Sequence, residues 1–223
     1  MKNLLLITSL LVFTVFCFGQ KKTSFGIKAG INMANISGNI ESEWDINTES
    51  KFGFHAGFIM DVAVSEKFSV QPELLYTAQG AKFKDEGIEG KFTHNFVSLP
   101  VMARYFVIDG LALEVGPQLN YLIKAKLEES MDVGWDSGDY EVDFTKQTPS
   151  ISVGLNFGAS YEINNKFIIG ARYSLGLTNL ATHKRADIKY SYDGEEYETD
   201  EPFWDKGFTM KSNAIQFSLA YKF

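Results

Sequence analysis

Alternation between apolar and polar residues is the dominant pattern along this chain. In the closing stretch NAIQFSLAYKF, every second residue from Ile215 to Phe223 is apolar or aromatic, and small or polar residues separate them. Because successive side chains of a β-strand point to opposite faces, this period predicts a strand with one apolar face. The same alternation, clear in some segments and less regular in others, predicts eight strands. They span residues 25–33, 53–62, 67–81, 93–107, 111–127, 150–161, 167–177 and 212–223.

The connections between these strands alternate in length. The short ones read AVSEK, VIDG and EINNK, and the long ones span 34–52, 82–92, 128–149 and 178–211. Short turns at one end and long loops at the other, with both termini at the short-turn end, are typical of an outer-membrane barrel. The pattern predicts an all-β fold: an eight-stranded, antiparallel, up-and-down transmembrane barrel with short periplasmic turns and long extracellular loops.

Charge decides which face of the strands meets lipid. The long loops hold 22 of the 28 acidic residues, whereas the apolar faces of the strands carry almost no charge. Seven aromatic residues lie on the apolar face near the short-turn end, which suits a girdle at one membrane interface. They are Phe25, Phe68, Tyr105, Tyr161, Phe167, Tyr221 and Phe223. The alternative is an ordinary layer of core aromatics in a soluble barrel.

The opposite face then lines a narrow lumen. An eight-stranded barrel is only just wide enough inside for side chains, and glycines on this face make room for larger residues. Five charged residues share the face and lie at similar depth: Lys28, Glu73, Arg104, Glu114 and Arg172. Unpaired charges in a packed interior are costly, so we expect an ion network that closes the barrel. The alternative is that these charges are solvated in a wet lumen.

The N-terminus predicts export. MKN is followed by a short apolar stretch, which together read as a signal peptide over residues 1–19, with cleavage after Gly19. The barrel domain is then 20–223, the mature chain has no cysteine, and the expected location is the outer membrane. Lipidation of Cys17 is the alternative, although Phe16 stands where a small residue would be expected. The formal charge of −7 argues against a nucleic-acid partner.

No catalytic constellation emerges from the sequence. His94 and Ser98 share the lumen face, but about 13 Å of strand separates them, which is too far for a base and its nucleophile. His55 and His94 lack an obvious third metal ligand, and His183 is interpreted as a solvated loop residue. We therefore expect no catalytic activity, no metal site and no cofactor, although barrel enzymes acting on lipid A or peptides do exist.

Two loop stretches carry other patterns. DSGDYEVD, from Asp136 to Asp143, concentrates carboxylates and could hold a divalent cation, but it matches no EF-hand and is interpreted as a solvated acidic loop. YSYDGEEYE has Asp193-Gly194 between alternating residues, which predicts a hairpin extending the barrel above the membrane.

Aromatic residues in the long loops suggest a binding surface, because tryptophan is enriched in binding hot spots. The residues concerned are Trp44, Trp135, Phe203, Trp204 and Phe208. Trp44 lies in the first long loop, and we expect the third and fourth loops to fold over each other and to present an aromatic, acid-rimmed surface to an extracellular protein or glycan. The alternative is that the rings only pack the loops together.

The chain also resembles the PorT-like group of eight-stranded outer-membrane barrels of Bacteroidetes. The resemblance rests on GIKAGINMANISG, FSVQPELLYTAQGAKF, FVSLPVMARYF and the terminal FSLAYKF, and it covers the whole mature chain. It implies that the last strand, with Tyr221 and Phe223, is the signal read by the barrel-assembly machinery. Ser98 departs from the group, where an acidic residue before LP is expected.

The sequence thus predicts a monomeric outer-membrane barrel with a plugged lumen, in contact with membrane lipid and lipopolysaccharide. Its predicted role is structural, or the binding of a ligand or surface through acidic, aromatic loops. The alternative is an accessory component of an outer-membrane transport or protein-secretion complex.

Overall fold

The computed structural model describes residues 23–38, 48–85, 88–132, 137–182, 188–192, 195–199 and 207–223. The predicted signal peptide, Cys17 and His183 lie outside these residues. Within them, no helix is long and apolar enough to cross a membrane. A single-turn 3-10 helix spans Thr145–Gln147.

Long strands make up most of the described chain. Their bounds are Thr23–Gly38 (β1), Thr48–Ala63 (β2), Phe68–Asp85 (β3), Ile88–Ile108 (β4), Leu111–Asp132 (β5), Ser137–Asp143 (β6), Ile151–Ile163 (β7), Phe167–Gly176 (β8), Ile188–Tyr192 (β9), Glu195–Thr199 (β10) and Met210–Lys222 (β11).

Eight of these strands close into a ring. β1 pairs with β2 on one side and with β11 on the other, and β5 joins β4 to β7. All pairings in the ring are antiparallel. Each ring strand pairs with the next ring strand along the chain, and the last, β11, pairs with β1 and closes the ring. The predicted eight-stranded up-and-down barrel is confirmed, and closure leaves these strands without an exposed edge.

The three short turns are confirmed, but all four long loops are shorter than the sequence predicts. Asn164 and Asn165 adopt φ values of 53° and 55°, and Gly110 adopts 79°, the left-handed conformations that tight hairpins need. Most of the predicted loop 82–92 is strand, since β3 reaches Asp85 and β4 begins at Ile88. The interpretation of Asp136–Asp143 as a loop is wrong for Ser137–Asp143, which is β6.

A small sheet continues from the ring at the long-loop end. The upper part of β5 turns away from β7 and pairs with β6, β6 pairs with β9, and β9 pairs with β10. The hairpin predicted around Asp193-Gly194 is confirmed, with Tyr192 opposite Glu195. β6 comes from the third predicted loop and β9 from the fourth, so these two loops are joined by backbone pairing. We call β6, β9 and β10 the sheet extension.

Outward-facing side chains of the ring form a broad apolar band. Burial alternates along each strand, so that Ile27 is exposed while Gly26 and Lys28 are buried. The seven predicted girdle aromatics are exposed or half-exposed near the short-turn end, and Phe167 contacts Tyr221 with ring centroids 5.1 Å apart. This apolar band includes Phe58 and Leu219 and differs from the mainly polar surface of a water-soluble protein.

Candidate functional site

The lower lumen contains a continuous chain of buried charged side chains. It includes the five residues that the sequence singles out, and the structure brings all five together with three more. We call this set the ion chain, and its members are Lys28, Asp61, Glu73, Arg104, Glu114, Glu162, Arg172 and Lys222.

Glu73 lies near one end of the ion chain, where both oxygens of its carboxylate accept hydrogen bonds. Its carboxylate accepts hydrogen bonds from Lys28 Nζ at 3.1 and 3.2 Å and from Gln71 Nε2 at 2.7 Å. Arg172 adds two more from Nη1 and Nη2, at 3.0 and 2.9 Å. This fork-to-fork geometry is the strong form of an arginine–carboxylate pair.

Arg172 and Arg104 share Glu114 between them. Arg172 reaches Oε2 of Glu114 at 2.9 Å, and Arg104 Nε reaches Oε1 at 3.2 Å. Arg104 continues the chain to Asp61 at 3.3 Å and to Glu162 at 3.7 Å. Its guanidinium also lies 5.1 Å from the centroid of the Phe106 ring, a cation–π arrangement.

Lys222 completes the ion chain near the short-turn end. Its ammonium lies 3.2 Å from Asp61 and forms an ion pair with Glu162. Sequence reasoning missed these three residues, although Lys222 and Asp61 stand at lumen-facing positions of predicted strands. The eight members carry four positive and four negative charges, so the chain is neutral as a whole, which is the condition under which buried ions are tolerated.

A layer of amides and hydroxyls lies above the ion chain. The side-chain oxygen of Asn32 accepts a hydrogen bond from Nδ1 of His55 at 2.7 Å, and the amide nitrogen of Asn32 donates to the carbonyls of Phe54 and Ala78. Gly30 leaves room for this ring, since a Cβ there would lie 2.5 Å from His55 Cε1. A cavity of about 20 Å³ in this layer has room for a single water molecule.

The upper lumen is apolar. Buried side chains from the ring, from β6 and from the segments around the 3-10 helix pack into what we call the apolar cluster. Its members are Ile36, Ala81, Phe83, Phe92, Phe96, Leu122, Ala125, Leu127, Val142, Phe144, Leu180, Ala181, Phe208 and Met210. The sequence does not predict this core, because its residues fall at the ends of predicted strands and in predicted loops.

Phe208 corrects one member of the predicted binding surface. Its side chain is 5% exposed and belongs to the apolar cluster, so the prediction that it lies on an exposed surface is wrong. The packing alternative holds for this ring. Trp44, Trp135, Phe203 and Trp204 lie outside the described residues.

Two connections are fixed over the apolar cluster by specific hydrogen bonds. Phe144 N donates to Ala125 O at 3.1 Å, and Thr145 Oγ1 accepts from Ala125 N at 2.8 Å. Asn179 donates to the Phe208 carbonyl at 2.8 Å and accepts from Met210 N at 2.7 Å. Both connections are thereby tied to residues of the apolar cluster.

His94 and Ser98 do not form a catalytic pair in the structure. The His94 ring is fully buried beside Phe96 and Phe144, and Ser98 donates instead to Asn120 at 2.8 Å. Within the described part of the chain, no group of three or more His, Cys, Asp or Glu residues is arranged for a metal ion.

Charged side chains outside the apolar band, at the long-loop end, pair across strands. Lys84 pairs with Glu89, Lys91 with Glu128, and Lys126 with Glu141. The hydrogen bond between Lys84 and Glu89 raises the pKa of the ammonium and lowers the pKa of the carboxyl. Burial raises the pKa of the neighbouring carboxyl of Glu129.

The last strand is held on both sides. Lys222 N donates to Lys166 O at 2.7 Å, and Phe223 N donates to Phe25 O at 2.9 Å. The rings of Tyr221 and Phe223 contact each other with centroids 6.1 Å apart. The two residues predicted as the assembly signal thus lie at the seam where the barrel closes.

Three solved structures are similar to this chain. A major outer membrane protein from Thermus thermophilus matches with a TM-score of 0.51 and 11% identity, over 91% of this chain and 100% of that one. The attachment invasion locus protein Ail of Yersinia pestis matches with a TM-score of 0.47 and 12% identity, over 91% and 99%. The outer membrane protease OmpT from Escherichia coli gives 0.46 and 10%, over 91% and 94%.

Sequence comparison gives the family. No curated protein matches this chain. The family model described as outer membrane protein beta-barrel domain matches residues 18–182, which is most of the chain. The closed ring and its outward apolar band are what such a domain requires. The chain therefore belongs to the outer membrane protein beta-barrel domain family, and its barrel is an outer-membrane barrel.

Proposed function

We propose that this barrel has a closed lumen and acts at the cell surface as a structural or binding protein. The observation that carries the proposal is the stacking of three filled layers inside the ring. They are the ion chain, the layer of amides and hydroxyls around Asn32 and His55, and the apolar cluster. A water-filled pore needs a continuous polar path, and the apolar cluster interrupts any such path at the long-loop end.

The small size of the internal cavities supports a closed lumen. The cavity in the amide layer has a volume of about 20 Å³, and one beside Arg172 and Glu114 has about 10 Å³. Each has space for about one water molecule, whereas a hydrated ion or a solute needs much more. The neutral ion chain also offers no net charge that would attract ions of one sign.

The sheet extension is the part of the described chain best suited to contact a partner. It stands above the apolar band, and β10 contributes exposed Glu195 and Tyr197, whose hydroxyl donates to Glu195 at 2.9 Å. Within the described residues, β10 ends the sheet, so its outer edge offers backbone groups to an added strand. We propose an extracellular protein or glycan as the ligand, with Trp135 and Trp204 as further contacts.

The same edge favours a second role, as an accessory component of an outer-membrane transport or protein-secretion complex. In that case the added strand belongs to another protein of the complex. We further propose that the chain is PorT-like, that it is monomeric outside such a complex, and that Tyr221 and Phe223 are read by the barrel-assembly machinery.

Two measurements test these proposals. In planar bilayers, the purified full chain should give no steady conductance, and a porin-sized conductance would refute the closed lumen. Replacing residues 188–199 by a short Gly-Ser linker should abolish binding of whole cells to an extracellular glycan or protein panel while the barrel still folds. Unchanged binding would refute the role of the sheet extension.

The two roles differ in where the partner comes from. Cross-linking through a cysteine placed at Glu195 should capture an outer-membrane or surface-exposed protein of the producing cell if the barrel is an accessory component. Capture of none in intact cells, together with binding to the external panel, would exclude the accessory role.

A further inference from the structure

The outer wall of the barrel carries a polar patch at the upper edge of the apolar band, on β2 to β5. Its outward side chains are Lys51 on β2, Thr93 and Asn95 on β4, and Lys124 on β5. We call these four residues the edge patch. All four side chains are half-buried.

Lys51 reaches the patch by crossing a neighbouring strand. Its ammonium donates to Thr93 Oγ1 and to the carbonyl of Phe92 at 3.3 Å, although Lys51 and Thr93 lie on strands that do not pair with each other. Gly80, opposite Thr93 on the intervening β3, allows this path. A Cβ on Gly80 would lie 3.2 Å from Lys51 Cδ, so a larger residue there would crowd the lysine stem.

Lys124 enters the patch from the other side. It stands directly opposite Asn95 in the pairing of β4 with β5, one step closer to the apolar band than Lys126, which is opposite Thr93. Lys126 is already paired with Glu141. The Lys51 ammonium and the Lys124 backbone position therefore lie on the two sides of one short stretch of β4.

The charge of the edge patch is not neutralised by the described part of the chain. No described carboxylate lies at ion-pair distance from Lys51 or Lys124. The charged neighbours that act on Lys51 are Lys82 and Lys91, which stand directly opposite each other on β3 and β4. Lys91 itself pairs with Glu128, but no described carboxylate does the same for Lys51, so a bound anion offsets the positive charge around Lys51.

The surroundings of the patch indicate the kind of anion. Phe52 and Ile123, the chain neighbours of Lys51 and Lys124, point outward with 70% and 47% exposure. Tyr121 continues this apolar floor toward the short-turn end. A lipid phosphate matches both the charged patch and the apolar residues beside it, because its charge contacts the lysines while its acyl chains contact the apolar band.

We propose that the edge patch binds the phosphate of an outer-leaflet glycolipid of the lipid A type. Lys51 and Lys124 hold the phosphate as point charges, and Thr93 and Asn95 supply neutral donors. The site lies on the barrel wall, so it is separate from the sheet extension and does not depend on the function proposed above.

The test measures thermal unfolding of the detergent-solubilised full chain while lipid is titrated in. Phosphorylated lipid A should raise the unfolding midpoint at a concentration at least about tenfold lower than enzymatically dephosphorylated lipid A, since hydrogen bonds to a charged group are lost in the second case. Equal protection by the two lipids would overturn the proposal. Equal protection by inorganic phosphate would also overturn it, since it would mean an anion site without lipid selectivity.

Variants locate the site. Lys51→Gln with Lys124→Gln should lose the preference for phosphorylated lipid, and Lys51→Arg with Lys124→Arg should keep it. The matched control is Lys84→Gln with Lys211→Gln, which removes the same charge from exposed lysines of the wall and should behave as wild type. A control that loses the preference equally would show that only net charge matters and would refute the patch. If the Gln pair does not fold, the comparison of the two lipids on the wild-type chain still decides.

Discussion

Replacing Glu73 by Gln removes one negative charge from the ion chain without changing the size of the side chain. Glu73 is buried, and it accepts hydrogen bonds from Lys28, Arg172 and Gln71. The amide retains one acceptor oxygen, and its NH₂ group then points at cationic donors. The variant therefore leaves Lys28 and Arg172 with one nearby carboxylate, Glu114, which also pairs with Arg104.

The expected loss of stability is large. Removing one partner of a buried ion pair costs about 3–5 kcal/mol, because the remaining charge stays buried without compensation. Glu73 serves two cations, which places the loss at the upper part of that range. Lys28→Met with Glu73→Gln restores neutrality, so the double variant should be more stable than Glu73→Gln alone, with a coupling free energy of about 1–3 kcal/mol.

The assay is equilibrium urea unfolding of the barrel in lipid vesicles, read by tryptophan fluorescence, with the slope checked for each variant. Glu89→Gln is the matched control, since Glu89 makes an exposed ion pair with Lys84, and the loss of stability should be far smaller than for Glu73→Gln. A loss below about 1 kcal/mol for Glu73→Gln would mean that water or a counter-ion replaces its charge. A double variant less stable than the single one would refute the argument from neutrality.

Three further predictions concern the wall, the topology and the seam. Leu155→Arg should lower the free energy of unfolding by about 2–4 kcal/mol in vesicles, because Leu155 faces lipid, whereas Ser37→Arg beyond the band should change it little; equal costs would contradict the assigned band. An epitope tag near Asp136 should be reached by antibody on intact cells, and one near Asp109 only after the outer membrane is opened. Phe223→Ala should slow assembly in cells while leaving refolding from urea nearly unchanged, and a matching defect in both would mean that the ring is only a packing residue.

The ring of strands could be predicted from the sequence because its two faces meet different surroundings. Alternation between apolar residues that face lipid and small or polar residues that face the lumen is specific to the strands of such a barrel. The three short turns were predictable from their polar, turn-forming residues. Five members of the ion chain were predictable for the same reason. Asp61, Glu162 and Lys222 were not, because residues near turns look solvated until barrel closure places Asp61 and Glu162 between Arg104 and Lys222.

The sheet extension was predictable only in part. Asp193-Gly194 marks one hairpin, but the pairing of β6 with β9 joins segments about 50 residues apart, and no local pattern reports such a contact. The apolar cluster was not predicted, and Phe208 was assigned to the surface, because a loop phenylalanine has the same sequence appearance whether it is buried or exposed.

The end of the apolar band explains both the cluster and the wrong strand boundary on β3. Near the short-turn end of β3, Glu73 points inward and Leu74 points outward. Near its other end, Phe83 is buried inside and Lys82 and Lys84 are exposed outside. The pleat continues without a break in phase, but the polarity of the two faces has reversed. Since a lipid-facing wall must be apolar and a water-facing wall must be polar, the reversal shows that β3 leaves the bilayer before Lys82 and continues as the wall of a water-soluble barrel, whose interior must then be apolar.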